Sequence, residues 1–291
     1  MISEGQDPGE GPGDYAAEIA AWVAERDRRL RDPNGWLALV GLHWLSDGAQ
    51  TFGADPSNAI HLVGRGVPER GGTLELTDGV VTLHPEPGSG PAVDGAPLDG
   101  DLVLADDIGQ PPTRVDIGAL RVHVIRRGER IGLRVRDTEL PALRSYAGVP
   151  RFELDPAWRV TGHLERPPGL RTVDVPDVLG EVRAEESAGV VHFDAGGEHL
   201  HLDALPEDDD MLWLIFADTT NGAETYSGGR FLVTGPVAED GSVVVDFNLA
   251  YNPPCVFSPY ATCPLPWDSN RLPIAVQAGE RLPHVPHPAA D

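Results

Sequence analysis

Lysine is absent from all 291 residues, so every one of the 22 basic residues is arginine. That absence excludes several chemistries. No Schiff base to pyridoxal phosphate or a carbonyl substrate can form, no phosphate-binding loop has its lysine, and kinase and serine–lysine hydrolase mechanisms lose a required group. Positive charge is scarce in general: 46 acidic residues leave a net charge of −24, which repels nucleic-acid phosphates and anionic lipid heads. Neither nucleic acid nor membrane is expected as a partner. Long apolar runs are missing too, since the longest, Met211 to Ala217, falls far short of the roughly 20 residues of a membrane span. The start, MISEGQDPGEGPGD, lacks the basic and apolar segments of a secretory signal and reads as a disordered lead-in over residues 1–13. A cytoplasmic location follows as the expectation, and there the two cysteines stay reduced. No Gly-x-Ser-x-Gly elbow, His-Glu-x-x-His pair or Gly-x-Gly-x-x-Gly loop after a strand occurs.

What is present describes a globular chain. A hydrophobic content of 41% supports a real core, and the length suits one large β domain or two smaller ones. Tyr15, Ile19, Trp22, Val23 and Leu30 fall on one helical face between Asp14 and Arg31, with Asp32-Pro33-Asn34-Gly35 as the stop. Beyond Trp36 the pattern turns to short strands separated by Gly, Asp and Pro clusters, which predicts a mainly β sandwich or barrel with a short N-terminal helix. Arg127-Gly128-Glu129 predicts a hairpin between Leu120–Arg126 and Ile131–Arg136. Asp240-Gly241 predicts another between Arg230–Thr234 and Ser242–Asn248. The division expected is residues 14–110 for the helix and first β region and 111–291 for a second β region ending in a site loop.

The most informative stretch is Asp246 to Glu280. It holds three carboxylates, three asparagines, two tyrosines, an arginine and both cysteines among six prolines. A flexible linker would not carry that mixture; an ordered loop with convergent polar groups would. Just upstream, Glu224 and Tyr226 share a face if the segment is extended, and Arg230 follows with the same parity. In strict hairpin register Asp246 lies on the opposite face from Arg230, and a bulge at Gly235-Pro236 restores the shared face. A carboxylate, a phenol and a guanidinium gathered there supply a general base, a proton donor and an anion clamp, or alternatively a network bracing the sheet. Cys255 and Cys263, with seven residues between them, leave four readings open: a disulfide, half a metal site, a reactive thiol or two buried apolar side chains. His199 and His201, two apart on a strand, face one way as metal ligands in a cupin barrel do, although the spaced glutamate is missing because position 205 is Leu205. His43 and Trp44 lie in an apolar segment, Gly35–Leu45, and Arg134 with Asp137 ends a strand.

Two resemblances add to this. The region from Gly41 to about Ile108 resembles a forkhead-associated sandwich in outline, through Phe52-Gly53-Ala54-Asp55-Pro56-Ser57-Asn58-Ala59-Ile60 and Val93-Asp94-Gly95. The family's phosphopeptide-reading arginine is Ala54 here and its Ser-x-x-His is missing, so the likeness implies the scaffold without the phosphothreonine reading. The blocks Gly35–Leu45, Gly132–Asp137, Phe216–Leu232 and Asp246–Glu280, the last with DFN, YNPPC, TCPLP, NRLP and AGE in order, resemble an uncharacterised, mainly bacterial family of unknown function (DUF1684). The resemblance implies that Trp44, Glu224, Tyr226, Arg230, Asp246, Asn248, Asn252, Cys255 and Cys263 occupy that family's motif positions. It brings no reaction. Trp267 and Arg281 stand where the family pattern has proline and lysine.

The leading expectation is a small-molecule enzyme acting on a polar or carboxylated metabolite, without an organic cofactor or metal. Glu224, Tyr226, Arg230 and Asp246 would be catalytic, and His43, Trp44, Arg134, Asn248, Tyr251, Asn252 and Cys255 would bind substrate. The alternatives are a non-catalytic binding module using the forkhead-like sandwich and a metal-dependent β-barrel enzyme using His199 and His201.

Overall fold

A computed structural model describes residues 12–283. Most of the expected lead-in lies outside them, and Pro12 and Gly13 belong instead to the first helix, α1 (Pro12–Leu30). On α1, Tyr15, Ile19 and Leu30 are buried, as the apolar stripe requires. The helix stops where the Asp32 side chain accepts from the Asn34 N–H and the Gly35 N–H returns to the Asp32 carbonyl at 2.7 Å. A Cβ on Gly35 would stand 2.3 Å from the Arg29 carbonyl oxygen, so only glycine permits this exit.

Two compact units follow from the chain's contacts. A sandwich unit runs from Arg29 to Tyr146 and takes in Ser258–Ala261; a barrel unit comprises the described residues up to Arg28, Ala147–Phe257 and those from Thr262 on. The boundary falls after Tyr146 rather than at 110, because three strands beyond residue 110 complete the first unit.

In the sandwich unit the strands are β1 (Leu39–Trp44), β2 (Gly48–Gly53), β3 (Ile60–His61), β4 (Gly72–Thr77), β5 (Val80–Pro85), β6 (Ala92–Val93), β7 (Ala96–Pro97), β8 (Leu102–Leu104), β9 (Val115–Ile117), β10 (Leu120–Arg127) and β11 (Arg130–Asp137). They form a six-stranded sheet, β1-β11-β10-β9-β6-β7, and a five-stranded sheet, β3-β2-β4-β5-β8. Phe52, Leu74 and Leu83 of one sheet share a single core with Val122, Val124 and Leu133 of the other, which makes a sandwich. The first expected hairpin is present, with Arg127 opposite Arg130 across Gly128-Glu129.

The barrel unit holds β12 (Arg159–Glu165), β13 (Thr172–Pro176), β14 (Val182–Glu186), β15 (Gly189–Ala195), β16 (Glu198–Pro206), β17 (Leu212–Phe216), β18 (Arg230–Val233) and β19 (Ser242–Asp246). Strands β13 and β14 pair as a separate ribbon; the other six form a sheet in the order β18-β17-β16-β15-β12-β19. The second expected hairpin does not form. A turn exists at Asp240-Gly241, yet β18 and β19 stand at opposite edges of the sheet, and β19 pairs with β12. The sheet curls, so the Gly235 N–H still reaches the Val244 carbonyl and Phe231 bridges Tyr251. Inside the curl, Val191, Leu202, Leu214, Leu232 and Val245 pack with Phe247, Leu272, Val276 and Ala278 from the C-terminal run. That run is ordered, as its composition predicts.

Candidate functional site

Proline cannot donate to a strand ladder, so a proline-rich tail packed into a curled sheet needs side chains to satisfy its backbone. Arg230 does this. Its side chain is fully buried; Nη2 pairs with Asp218 Oδ2 at 2.8 Å and donates to the Val276 carbonyl, and Nη1 donates to the carbonyls of Ala278 and Glu280. Asp218, equally buried, also accepts from the Thr220 N–H and hydroxyl and from the Val276 N–H. Burial pushes the Arg230 guanidinium down from its ordinary value, against the pull of Asp218. A group occupied in this way is a structural clip and not an anion clamp.

Asp246 takes no part in that cluster. It is buried at the end of β19, where its carboxylate accepts the Tyr15 hydroxyl at 2.8 Å and the Asn248 N–H at 3.0 Å. Asn248 in turn donates to Tyr15 and to the Asp155 carbonyl. These contacts cap a short helical turn and fasten α1, so Asp246 and Asn248 are structural. Their expected meeting with Arg230 fails because the hairpin that would align them does not exist.

Glu224 and Tyr226 also part company. Residues 220–225 form a tight turn, with the Thr220 carbonyl accepting from Ala223, Glu224 and Thr225, so the two-residue parity of an extended chain does not apply. Glu224 is partly exposed beside Arg281 (3.6 Å) and Gln277 (3.4 Å). A second ionic centre surrounds Glu280, whose fully buried carboxylate takes Arg26 Nε at 3.0 Å, the Asn252 N–H at 2.6 Å and Arg151 at 3.7 Å. Arg26 also donates to the Asn252 carbonyl and lies over the Tyr251 ring at 4.8 Å. Burial raises the Tyr251 phenol to about 12. Asn252 is wholly buried, and its amide donates to the Arg281 carbonyl.

Tyr226, Cys255 and Cys263 do come together. Both cysteines are free thiols; Cys263 is buried and Cys255 half-buried. The Cys255 N–H donates to Cys263 Sγ at 3.1 Å. Hydrogen bonding from the Cys263 thiol draws the Cys255 thiol below its ordinary value against the opposing effect of burial, with help from the Tyr226 hydroxyl and from the N–H groups of Cys255 and Val256 at a short helical turn. Burial, and then Cys255 itself, holds the Tyr226 phenol above its ordinary value. The two shifts run in opposite directions: the phenol holds its proton more tightly than usual and the sulfur less tightly. Gly228 makes room for the ring, because a Cβ there would lie 2.4 Å from Tyr226 Cε1. Of the four readings of the cysteines, the structure shows two reduced thiols in contact.

The remaining expected residues belong to the sandwich unit. His43 is half-buried on β1, and burial lowers its pKa. Trp44 is covered by the Arg130 guanidinium at 3.8 Å, and buried Arg134 lies 5.2 Å over the Trp36 ring. These are packing contacts. His199 and His201 are exposed on β16, whereas Leu200 and Leu202 between and beyond them enter the core. Ligands inside a cupin-type barrel are thus ruled out for this pair; they face outward. Among the described residues, no three His, Cys, Asp or Glu side chains stand converged as a metal centre.

Several central residues were not named as site candidates from the sequence. Asp218, Glu280, Arg151, Tyr15 and Arg26 hold the tail. Arg26 had a signal: it sits four residues after Trp22 on the apolar stripe of α1, where a charge needs a buried partner. Asn270 had none. Its side chain accepts from the Asp203 N–H and donates to the carbonyls of Asp203 and Ile215, all between 2.8 and 2.9 Å.

Fold and site together define a mainly β protein of two units, one of which folds an ion-clipped tail carrying a thiol pair. Residues 144–281 match the family described as protein of unknown function (DUF1684), and the chain belongs to that family. Every strand of the barrel unit lies within the match; the blocks Gly35–Leu45 and Gly132–Asp137 lie outside it. An uncharacterized protein of Haloarcula marismortui, solved by solution NMR, is 32% identical, with a TM-score of 0.41 over 48% of this chain and 80% of that one. The FHA domain of FhaA, solved in complex with an intracellular domain, is 19% identical, with a TM-score of 0.23 over 33% of this chain and 97% of its own. An FHA domain from a study of phosphothreonine-dependent interactions is also 19% identical, with a TM-score of 0.24 over 33% of this chain and 92% of its own. No curated protein matches. No helix among the described residues is long and apolar enough to cross a membrane.

Proposed function

We propose that the protein is a thiol-dependent enzyme acting on a small electrophile, with Cys255 as nucleophile and Tyr226 as proton donor. The observation that carries this reading is the double donation to Cys255 from Cys263 and Tyr226. A thiolate formed there attacks an electrophilic centre of the substrate, and Tyr226, still protonated, supplies a proton to the group that gains charge. Cys263 is placed to become the donor that remains on the sulfur, or to close on Cys255 when the substrate is a disulfide and leaves as a thiol. The carboxylated substrate expected from the sequence loses its support, since the guanidinium assigned to hold it is consumed by Asp218 and the tail carbonyls.

The test is the pH dependence of alkylation by iodoacetamide, followed site by site by mass spectrometry on the intact chain. Cys255 should react with an apparent pKa below the usual 8.5 or so of a free thiol. Tyr226→Phe should move that midpoint upward while the protein stays folded. A Cys255 that alkylates no sooner than a simple thiol, with a midpoint indifferent to Tyr226→Phe, sinks the proposal.

A further inference from the structure

The chain has only two cysteines, and the fold of the tail brings their sulfurs into contact. The Cys255 N–H donates to Cys263 Sγ at 3.1 Å, which holds that sulfur within about 4.6 Å of the Cys255 Cα once the N–Cα bond of about 1.46 Å is added. The Cys263 thiol donates in turn to the Cys255 sulfur, and so does the Tyr226 hydroxyl. Cys263 is buried, whereas Cys255 and Tyr226 keep part of their surface in contact with solvent. A small reactant therefore meets Cys255 first and the less accessible Cys263 second.

Resting on the thiol-dependent reading above, the second thiol and the phenol narrow the class of electrophile. A carbon electrophile leaves an alkyl or acyl group on Cys255, and a second thiol touching that sulfur could only take the group over by exchange. Oxygen or another sulfur on Cys255 is different, because the neighbouring thiol then displaces it and a disulfide results. The phenol separates those two cases. Expelling a thiolate, whose conjugate acid has a pKa of about 8.5, draws no help from a phenol, which is the weaker acid. Expelling hydroxide or alkoxide does, because water has a pKa of about 15.7 and the proton moves downhill. Burial moves the Tyr226 phenol further from the thiol and nearer to water.

We propose that the protein reduces small hydroperoxides, with Cys255 as the attacking thiolate, Cys263 as the resolving thiol and Tyr226 as the acid. The Cys255 thiolate attacks the terminal oxygen of ROOH. An S–O bond forms, the O–O bond breaks, and the departing RO⁻ takes the Tyr226 proton and leaves as ROH. Cys255 is then a sulfenic acid, oxidised by two electrons as the peroxide is reduced by two. Cys263 attacks that sulfur; the S–S bond forms, the S–O bond breaks, and the hydroxyl leaves with the Cys263 proton as water. Tyr226 regains its proton from solvent. An external dithiol reduces the disulfide by exchange and returns both thiols. Contact between the sulfurs shortens the life of the sulfenic acid, which guards Cys255 against irreversible oxidation.

The test mixes the reduced full chain with one equivalent of hydrogen peroxide, and in parallel with tert-butyl hydroperoxide, and follows both peroxide loss and the products by mass spectrometry. The wild-type chain should lose two hydrogens and yield a Cys255–Cys263 disulfide in its digest. Cys263→Ser should stop instead at a sulfenic acid on Cys255 that a cyclic diketone traps. Tyr226→Phe should slow peroxide consumption by about 10-fold or more after correction for the ionised fraction of Cys255 that alkylation reports. Peroxide consumed no faster than by a simple thiol, or oxidation that carries Cys255 to the sulfinic acid with no disulfide, overturns the proposal. Rapid alkylation of Cys255 with slow peroxide consumption refutes the peroxide reduction and leaves the nucleophile in place. Sluggish reaction with both reagents refutes both readings.

Discussion

The two units differ in where they place charge. In the sandwich unit Arg134 and Arg136 are buried, but the arginine–carboxylate pairs Arg121–Asp116, Arg126–Asp106 and Arg127–Asp107 keep some contact with solvent, and the cluster shared by the two sheets is apolar. In the barrel unit Arg230 and Asp218 are both fully buried, and so is Glu280. The reason lies in what closes each core. Within each sheet the strands satisfy one another's backbone, and apolar side chains between the sheets finish the work. The barrel core is finished by a tail with almost no regular structure, whose carbonyls at Val276, Ala278 and Glu280 find a donor in the buried Arg230 side chain. The fully buried ion pair lies where regular hydrogen bonding runs out.

Removing the buried clip should break this contrast most severely. Arg230→Ala leaves the Asp218 charge without its counterion and three tail carbonyls without their donor, and should cost about 3–5 kcal/mol in urea unfolding followed by tryptophan fluorescence. A loss no larger than that of a surface pair would show that charge is not what holds the tail. Asn270→Ala comes next. It removes three buried hydrogen bonds between the tail and two strands, and should cost on the order of 3 kcal/mol by the same measurement. The corresponding cut in the sandwich unit, Arg121→Ala, should cost only about 0–1 kcal/mol, since that pair is screened by solvent.

A pH scan sharpens the comparison from the other side. His123 is buried on β10, and burial, then the nearby Arg136, lowers its pKa to about 3. Arg136 Nη1 stands 3.1 Å from His123 Nδ1, which suits a neutral ring accepting at that nitrogen. The unfolded chain takes up this proton near pH 6.5, well before the folded chain does. Stability from this group is therefore complete above about pH 6.5 and is lost progressively as pH falls toward 3. His123→Gln should flatten that part of the stability–pH curve, and an unchanged acid limb would refute the assignment.

Much of the fold was legible in residue patterns. The helix was read from its stripe at Tyr15, Ile19 and Leu30, the first hairpin from Gly128, and the ordered tail from the mixture of Pro, Asn, Tyr and Cys between Asp246 and Glu280. Tyr226 and Cys255 were picked out from the sequence and do come together, but the wider grouping was not legible. Glu224, Tyr226, Arg230 and Asp246 were assigned to one hollow because parity rules treat their segments as extended and adjacent. The turn at Thr220 removed the first condition, and the separation of β18 from β19 removed the second.

The sequence alone determined the local choices: period-two alternation, the glycines that permit turns, the absence of lysine, and the arginine on the helix stripe. These depend on residues close together in the chain, where backbone geometry and side-chain type suffice. Only the tertiary structure decided that Asp218 and not Asp246 neutralises Arg230, and that the cysteines meet a tyrosine. Each of those is a contact between segments far apart in sequence, and the curl of a sheet, which sets it, is a sum over many strands that no short pattern encodes.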